Sequence, residues 1–213
     1  MEIKICGLRT PEEAEFLNEA GVDYAGFVFY EKSKRNIDLK TAREIMAVLD
    51  GKIRRVAVSV SPDAETVERL CGGGFDILQI HGELKREALE VATLPVWYAV
   101  NIADEREAEE KWKAIERLPQ ALRKRIGALV MDAPQFGSGR TFSWKKSRRL
   151  LKAGTQSPPD MRLVLAGGLS SENVAEGIRL FEPDVVDVSS SVENGAGKDR
   201  ELILAFTKAV RNV

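Results

Sequence analysis

Two groups in this chain are suited to moving protons. Cys6 closes the apolar stretch "EIKIC", and Asp132 follows "ALVM". A carboxyl works as a general acid when its pKa is raised, and a thiol works as a base when its pKa falls from about 8.5. A nearby cation and the start of the helix that follows are expected to lower the Cys6 thiol. Packing explains a lone strand-end cysteine equally well, because free cysteines are among the most buried residues. Asp132 is harder to read as packing, since a buried carboxylate needs partners; its plainer alternative is a loop-start or capping role. Arg35 in "YEKSKRNI" is either a site cation or a solvated member of that basic run. Gln79 and His81 in "QIHG" are binding candidates, although on position alone a hydrogen-bonded structural role is the stronger reading of the histidine.

Three loops of small residues suit an anion. Gly167 and Gly168 in "AGGLS" allow close backbone approach, Ser189 and Ser190 in "VSSSVE" add hydroxyls and N–H groups, and Gly137 and Gly139 in "FGSG" add further backbone donors. Backbone N–H groups at a helix start make a phosphate site without any cationic side chain. The plain alternative is that these glycines only turn the chain.

The elements that must position these groups are short apolar runs alternating with amphipathic segments. Strands are expected near 2–6, 23–29, 54–60, 76–80, 95–100, 126–131, 162–166 and 184–188, and helices near 11–20, 39–49, 63–71, 84–92, 104–118, 143–153, 171–180 and 199–211. Helix starts are marked by Thr10 before Pro11, by Asp38 and Asp63, by Ser170 or Ser171 before Glu172, and by Asp199. The runs are rich in Val, Ile and Leu with little strict alternation, as in parallel strands covered on both faces. Eight strand–helix repeats in 213 residues point to a single-domain (β/α)8 barrel spanning 1–213. A doubly wound open sheet is the competing pattern. "AGTQSPPDM" at 153–161 joins a helix to a strand and is expected on the face opposite the strand C-termini.

In such a barrel the strand C-terminal ends form the active face, and the loops after the seventh and eighth strands are the usual phosphate site. Cys6, Gln79, His81 and Asp132 all fall at strand ends. Cys71 closes a helix before "GGG", toward the other face, so a Cys6–Cys71 disulfide is not expected. Two cysteines and one histidine make a structural zinc site very unlike this chain. Lys plus Arg is 32 against 33 for Asp plus Glu, and the basic residues are interspersed with acids, which gives no footprint for nucleic acid. No apolar run approaches the roughly 20 residues that span a bilayer, and no signal peptide is legible before the first strand, so the expected location is the cytoplasm.

With these residues in view, the chain resembles the phosphoribosylanthranilate isomerase family. The likeness is carried by "KICGLRTPEEA" at 4–14, "GFVFYEKSKRNI" at 26–37, "DILQIHGE" at 76–83, "MDAPQFGSGRTFSW" at 131–144, "LAGGLSSENVAEGI" at 165–178 and "VDVSSSVE" at 186–193. The resemblance implies an Amadori rearrangement of an aminoaldose phosphate to an aminoketose phosphate, in tryptophan biosynthesis. It implies Cys6 as general base, Asp132 as general acid and Arg35 as the ligand of the anthranilate carboxylate. Phosphate would be held by the loops at Gly137 to Gly139, Gly167 to Gly168 and Ser189 to Ser190. No cofactor and no metal are implied, and the assembly is expected to be a monomer or homodimer. The chain departs from the family pattern at Phe136, at "SVS" (59–61), at Ser191 and at "SKR" (33–35), none of them a proton-transfer position.

Three other readings compete. Indole-glycerol-phosphate synthase would want a catalytic lysine within its strands, and Lys4 lacks that context. A histidine-pathway isomerase uses paired aspartates, where this chain has Cys6 at its first strand. A non-catalytic phosphate-binding barrel would have no use for a proton-moving pair at its mouth.

Overall fold

The eight apolar runs pair side by side in chain order. In the computed structural model, which describes residues 1–101, 105–132 and 161–213, they form β1 (Glu2–Cys6), β2 (Tyr24–Phe29), β3 (Arg54–Val60), β4 (Ile77–His81), β5 (Val96–Asn101), β6 (Ile126–Asp132), β7 (Arg162–Leu165) and β8 (Val185–Val188). Every neighbouring pair is parallel, and β8 returns to β1 in register from Glu2↔Val185 to Ile5↔Val188, which closes the barrel. The helices described are α1 (Pro11–Ala20), α2 (Leu39–Val48), α3 (Ala64–Cys71), α4 (Arg86–Val91), α5 (Glu105–Glu116), α6 (Gln120–Arg123), α7 (Val174–Phe181) and α8 (Arg200–Arg211).

Side chains alternate across each strand. One set, including Ile3, Ile5, Phe27, Leu78, Ile80 and Leu165, packs outward with the helices. The other set, including Tyr24, Val56, Trp97, Val130 and Val164, fills the barrel interior. Burial on both faces is why the strands read as near-continuous apolar runs. On β1 the inward positions alternating with Ile3 and Ile5 go to Lys4 and Cys6. At the barrel's other end, Tyr24 donates its hydroxyl to Glu2 (2.8 Å), Arg54 lies over the Tyr24 ring at 4.1 Å, and Arg162 bonds both Tyr24 and Glu2.

The expected caps form. Glu13 N–H donates to Thr10 Oγ1 at 3.3 Å and the Glu13 carboxylate accepts from Thr10 N–H at 3.4 Å, a capping box ahead of Pro11. Asp38, Asp63 and Asp199 accept from the N–H groups of Thr41, Thr66 and Leu202. Two boundaries depart from expectation. Pro119 interrupts the segment after α5 and starts the separate short α6. The start of α7 moves to Val174, because Asn173 accepts from Ser170 N–H (2.8 Å) and donates to Gly168 C=O (3.0 Å), holding the preceding residues in a turn. The expected helix at 143–153, the loop carrying Gly137 and Gly139, and the bulk of the connector at 153–161 lie outside the described residues. Both cysteines are free, and Cys71 packs against the outer core.

Candidate active site

A cavity of about 540 Å³ opens at the strand C-terminal ends. Its lining brings together Cys6, Arg35, Gln79, His81, Asp132, Gly167, Gly168, Ser189 and Ser190, together with Asp187. Every expected site residue that falls within the described part of the chain is therefore at one mouth. Gly137 and Gly139 fall outside it.

Cys6 is half-buried at the end of β1. Gly26 on the neighbouring strand makes room for it: a Cβ there would stand 2.8 Å from Cys6 Sγ. The Cys6 carbonyl accepts from Ser189 Oγ at 2.8 Å, which ties the first strand to the loop after β8. Beneath the thiol, the fully buried Lys4 ammonium donates to Asp187 Oδ2 at 2.7 Å, and its charge acts on Cys6. Burial pushes the thiol pKa up, Lys4 and Lys198 pull it back, and Asp187 pushes it further up. The net direction is upward. A nearby cation is present as expected, but desolvation outweighs it, and α1 begins only at Pro11. Lys4 itself is held protonated, because Asp187 and Cys6 outweigh the cost of its burial.

Gln79 and His81 occupy alternate inward positions on β4, and their Nε2 atoms lie 2.7 Å apart. A Gln79 amide donating there makes His81 Nε2 the acceptor and leaves the proton on Nδ1, the nitrogen 3.8 Å from Asp132 Oδ2. Burial, with Lys4 and Lys111 adding positive field, lowers the His81 pKa to about 3, so the imidazole is neutral. The histidine is thus hydrogen-bonded, as its position suggested, and it also faces the acid candidate.

Arg35 is turned in from its basic run and is only 7% exposed, whereas the neighbouring Lys34 side chain is 70% exposed. The Arg35 stem lies over Gly7, whose φ is +90°; a Cβ at Gly7 would meet Arg35 Cδ at 2.4 Å. Glycine directly after the thiol is therefore required twice, by backbone and by space. Arg35 donates through Nε and Nη2 to the two oxygens of Glu193, at 2.5 and 2.9 Å. Gly167 and Gly168, with φ of +86° and +69°, form a tight turn after β7, and Ser190 opens a 3-10 turn (Ser190–Val192) after β8.

Four charged residues here have no role in the sequence-based expectations: Lys4, Asp187, Glu193 and Lys198. The first two carried a legible signal, since each is a charge inside an apolar strand, Lys4 in "EIKIC" and Asp187 in "VVDV". Glu193 and Lys198 carried none, because only the closed barrel brings them to Arg35 and Ser189.

A closed parallel barrel with a thiol, a carboxyl, an inward arginine and glycine-turned loops lining one cavity at its mouth has the layout of the (β/α)8-barrel enzymes. The profile of the family described as N-(5'phosphoribosyl)anthranilate (PRA) isomerase matches residues 3–209. A Streptococcus gordonii protein named N-(5'-phosphoribosyl)anthranilate isomerase is 37% identical over 212 residues, covering 99% of this chain and 98% of its own. The Thermoanaerobacter pseudethanolicus protein of the same name is 34% identical over 219 residues, covering 100% and 99%. Among solved structures, phosphoribosyl anthranilate isomerase from Thermotoga maritima superposes with a TM-score of 0.82 at 34% identity, with 100% of both chains covered. A phosphoribosyl anthranilate isomerase in complex with reduced 1-(o-carboxyphenylamino)-1-deoxyribulose 5-phosphate gives 0.79 at 31% identity, again over 100% of both chains. The chain belongs to the N-(5'-phosphoribosyl)anthranilate isomerase family.

Proposed function

We propose that Cys6 and Asp132 carry the two proton transfers by which this isomerase of tryptophan biosynthesis converts N-(5'-phosphoribosyl)anthranilate to 1-(o-carboxyphenylamino)-1-deoxyribulose 5-phosphate. The observation that carries the reading is that one cavity is lined by both groups, with neutral His81 beside the acid and Lys4 beneath the base. Asp132, protonated, gives its proton to the ring oxygen as the C1′–O bond breaks. The product is an open-chain iminium at C1′, an electron sink that acidifies the C2′ proton. The Cys6 thiolate removes that proton to give the enolamine, which returns a proton to C1′ and loses one from the C2′ hydroxyl to become the ketone. The sequence is an isomerisation with no net gain or loss of protons, and each step is within the reach of general acid–base groups.

Burial makes the thiol reluctant to ionise, but it makes the thiolate a stronger base once formed. The Lys4 ammonium supplies the counter-charge on the spot. Arg35 takes the anthranilate carboxylate, for which a guanidinium edge is suited. The phosphate is held by backbone N–H groups of the turn at Gly167 and Gly168 and of the loop at Ser189 and Ser190, with Gly137 and Gly139 contributing from the loop after β6. Lys198 is not a phosphate ligand in this scheme, because its ammonium already donates to Ser189 O (3.0 Å), Ser189 Oγ (3.3 Å) and Glu193 Oε1 (2.7 Å). Gln79 and His81 line the anthranilate side of the cavity.

The protein acts as a single barrel domain, monomeric or homodimeric, and in the cytoplasm; no described helix is long and apolar enough to cross a membrane. The test is turnover of phosphoribosylanthranilate by purified protein, with complementation of a strain lacking this step. Cys6→Ser is expected to lower kcat by about 10² or more with little change in binding, and Asp132→Asn to lose the corresponding limb of a bell-shaped pH profile with most of the activity. Near-normal turnover by either variant overturns that residue's role.

A further inference from the structure

We propose that Glu193 is a positioning residue that aims Arg35 at the substrate carboxylate. The inference rests on the reading that Arg35 binds that carboxylate. Glu193 follows the 3-10 turn after β8, and Arg35 follows β2, 158 residues earlier. The two side chains are each 9% exposed and meet over the end of β1. Glu193 takes the Nε–Nη2 edge of the guanidinium with both of its oxygens. The guanidinium is a rigid planar fork of five N–H donors. An occupied Nε–Nη2 edge leaves the Nη1–Nη2 edge for a second carboxylate, in a plane fixed before the substrate arrives. The Arg35 stem cannot swing freely, because it is held against Gly7.

Glu193 is in turn held. Lys198 Nζ donates to Oε1 at 2.7 Å and Lys34 Nζ approaches Oε2 at 3.0 Å. Lys198 also bonds Ser189, whose hydroxyl donates to the Cys6 carbonyl. One carboxylate thus registers the loops after β1, β2 and β8 against each other. Burial raises the Glu193 pKa, but Arg35, Lys198 and Lys34 outweigh it and hold the carboxyl at about 2, so the splint stays ionised wherever the enzyme works. Three cations around one carboxylate leave the cluster net positive, so Glu193 orients Arg35 without repelling an anionic substrate.

The test uses the intact protein and three probes: the reduced product analogue 1-(o-carboxyphenylamino)-1-deoxyribulose 5-phosphate, the same compound without its carboxyl group, and inorganic phosphate. Dissociation constants are measured for wild type, Glu193→Gln, Glu193→Asp, Arg35→Ala and the Glu193→Gln/Arg35→Ala double variant. Glu193→Gln is expected to weaken the carboxylate-bearing analogue about tenfold, equivalent to about 1.4 kcal/mol, and to change the other two probes less than about twofold. KM rises in parallel with kcat nearly unchanged, and Glu193→Asp recovers part of the loss. In the Arg35→Ala background Glu193→Gln has no further effect on the carboxylate-bearing analogue. Should Glu193→Gln fail to fold with Lys198 left uncompensated, Glu193→Gln/Lys198→Met against Lys198→Met gives the same comparison. Equal weakening of both analogues, or an equal effect with and without Arg35, overturns the proposal. If Arg35→Ala itself treats the analogues alike, the carboxylate reading falls and takes the proposal with it; if Arg35→Ala discriminates and Glu193→Gln does not, Glu193 alone is misassigned.

Discussion

Replacing Gly7 by alanine examines the junction between the thiol and the arginine. Two costs add at this position. A φ of +90° is strained for any residue with a Cβ, at roughly 1–3 kcal/mol. The new methyl would also stand 2.4 Å from Arg35 Cδ and 3.3 Å from Cγ and Nε. Arg35 cannot yield cheaply, because Nε and Nη2 are both bound to Glu193. Forcing a methyl into so tight a contact costs a further 1–3 kcal/mol or so. Gly7→Ala is therefore expected to destabilise by about 2–6 kcal/mol, read as a lower urea midpoint at unchanged slope.

The two costs separate experimentally. In an Arg35→Ala background the three atoms nearest the methyl are gone, so the backbone strain is the main cost left. The double variant should be more stable than the sum of the single changes by about 1–3 kcal/mol, within the range of couplings between touching residues. Activity reports the same contact: the surviving Gly7→Ala protein should show a raised KM, because relief of the clash moves the guanidinium. A cost below about 0.5 kcal/mol, or one that does not depend on Arg35, refutes this account of why glycine follows the thiol.

His81 is the single histidine of the chain, and its pKa of about 3 lies below the unfolded value. The unfolded chain therefore binds a proton that the folded one does not, and stability falls as pH drops below about 6.5, by up to about 1.4 kcal/mol per pH unit; His81→Gln should flatten that fall between pH 6.5 and 5, and an unchanged slope in urea titrations across this window would exclude the burial argument. Glu193, held at about 2, contributes stability that is present above about 4.5 and lost as pH falls toward 2, so Glu193→Gln should shallow the acid limb of the same curve below pH 4.5. Replacing Lys4 and Asp187 together, as Lys4→Met/Asp187→Asn in a Cys71→Ser background, removes the counter-charge without stranding either partner, and iodoacetamide should then alkylate Cys6 more slowly at a given pH; an unchanged rate shows that Lys4 does not support the thiolate. Gly168→Asp should weaken inhibition by inorganic phosphate, since it strains a φ of +69° and brings a negative charge to the turn, and an unchanged inhibition constant places the phosphate elsewhere.

Much of the architecture was legible because its signals are local. Asp38, Asp63, Asp199 and the Thr10–Pro11 pair stand directly before the helices they start, and Val/Ile/Leu runs mark strands whose two faces are both covered. Where a start was misplaced, as at Ser170 and Ser171, the deciding bonds run from Asn173 to Ser170 and Gly168, and such a turn competes with helix using the same residue types. At the mouth, Cys6, Gln79, His81 and Asp132 were found because strand ends map directly to one face of a barrel. What they touch was not legible. Lys4 meets Asp187 across 183 residues and Arg35 meets Glu193 across 158, separations that only barrel closure bridges. The upward direction of the Cys6 pKa was not legible for a related reason: a nearby cation is easily inferred for a strand-end thiol, whereas the desolvation that outweighs it comes from the whole interior.

The Lys4–Asp187 pair is better explained by chemistry than by stability. Two charges taken fully out of water lose solvation that their attraction only partly returns, and a buried ion pair can often be exchanged for well-packed apolar residues at no loss. Strands β3, β5, β6 and β7 show that such residues fit: Val56, Trp97, Val130 and Val164 fill the same interior. The pair instead stands two residues before Cys6 on the same face of β1, with Asp187 reaching it from β8. Asp187 Oδ2 is taken by Lys4, while Oδ1 has no hydrogen-bond partner among the described residues although the side chain lines the cavity. The arrangement suits a pair kept for its field: Lys4 stabilises charge on the sulfur, and Asp187 holds Lys4 in place and protonated.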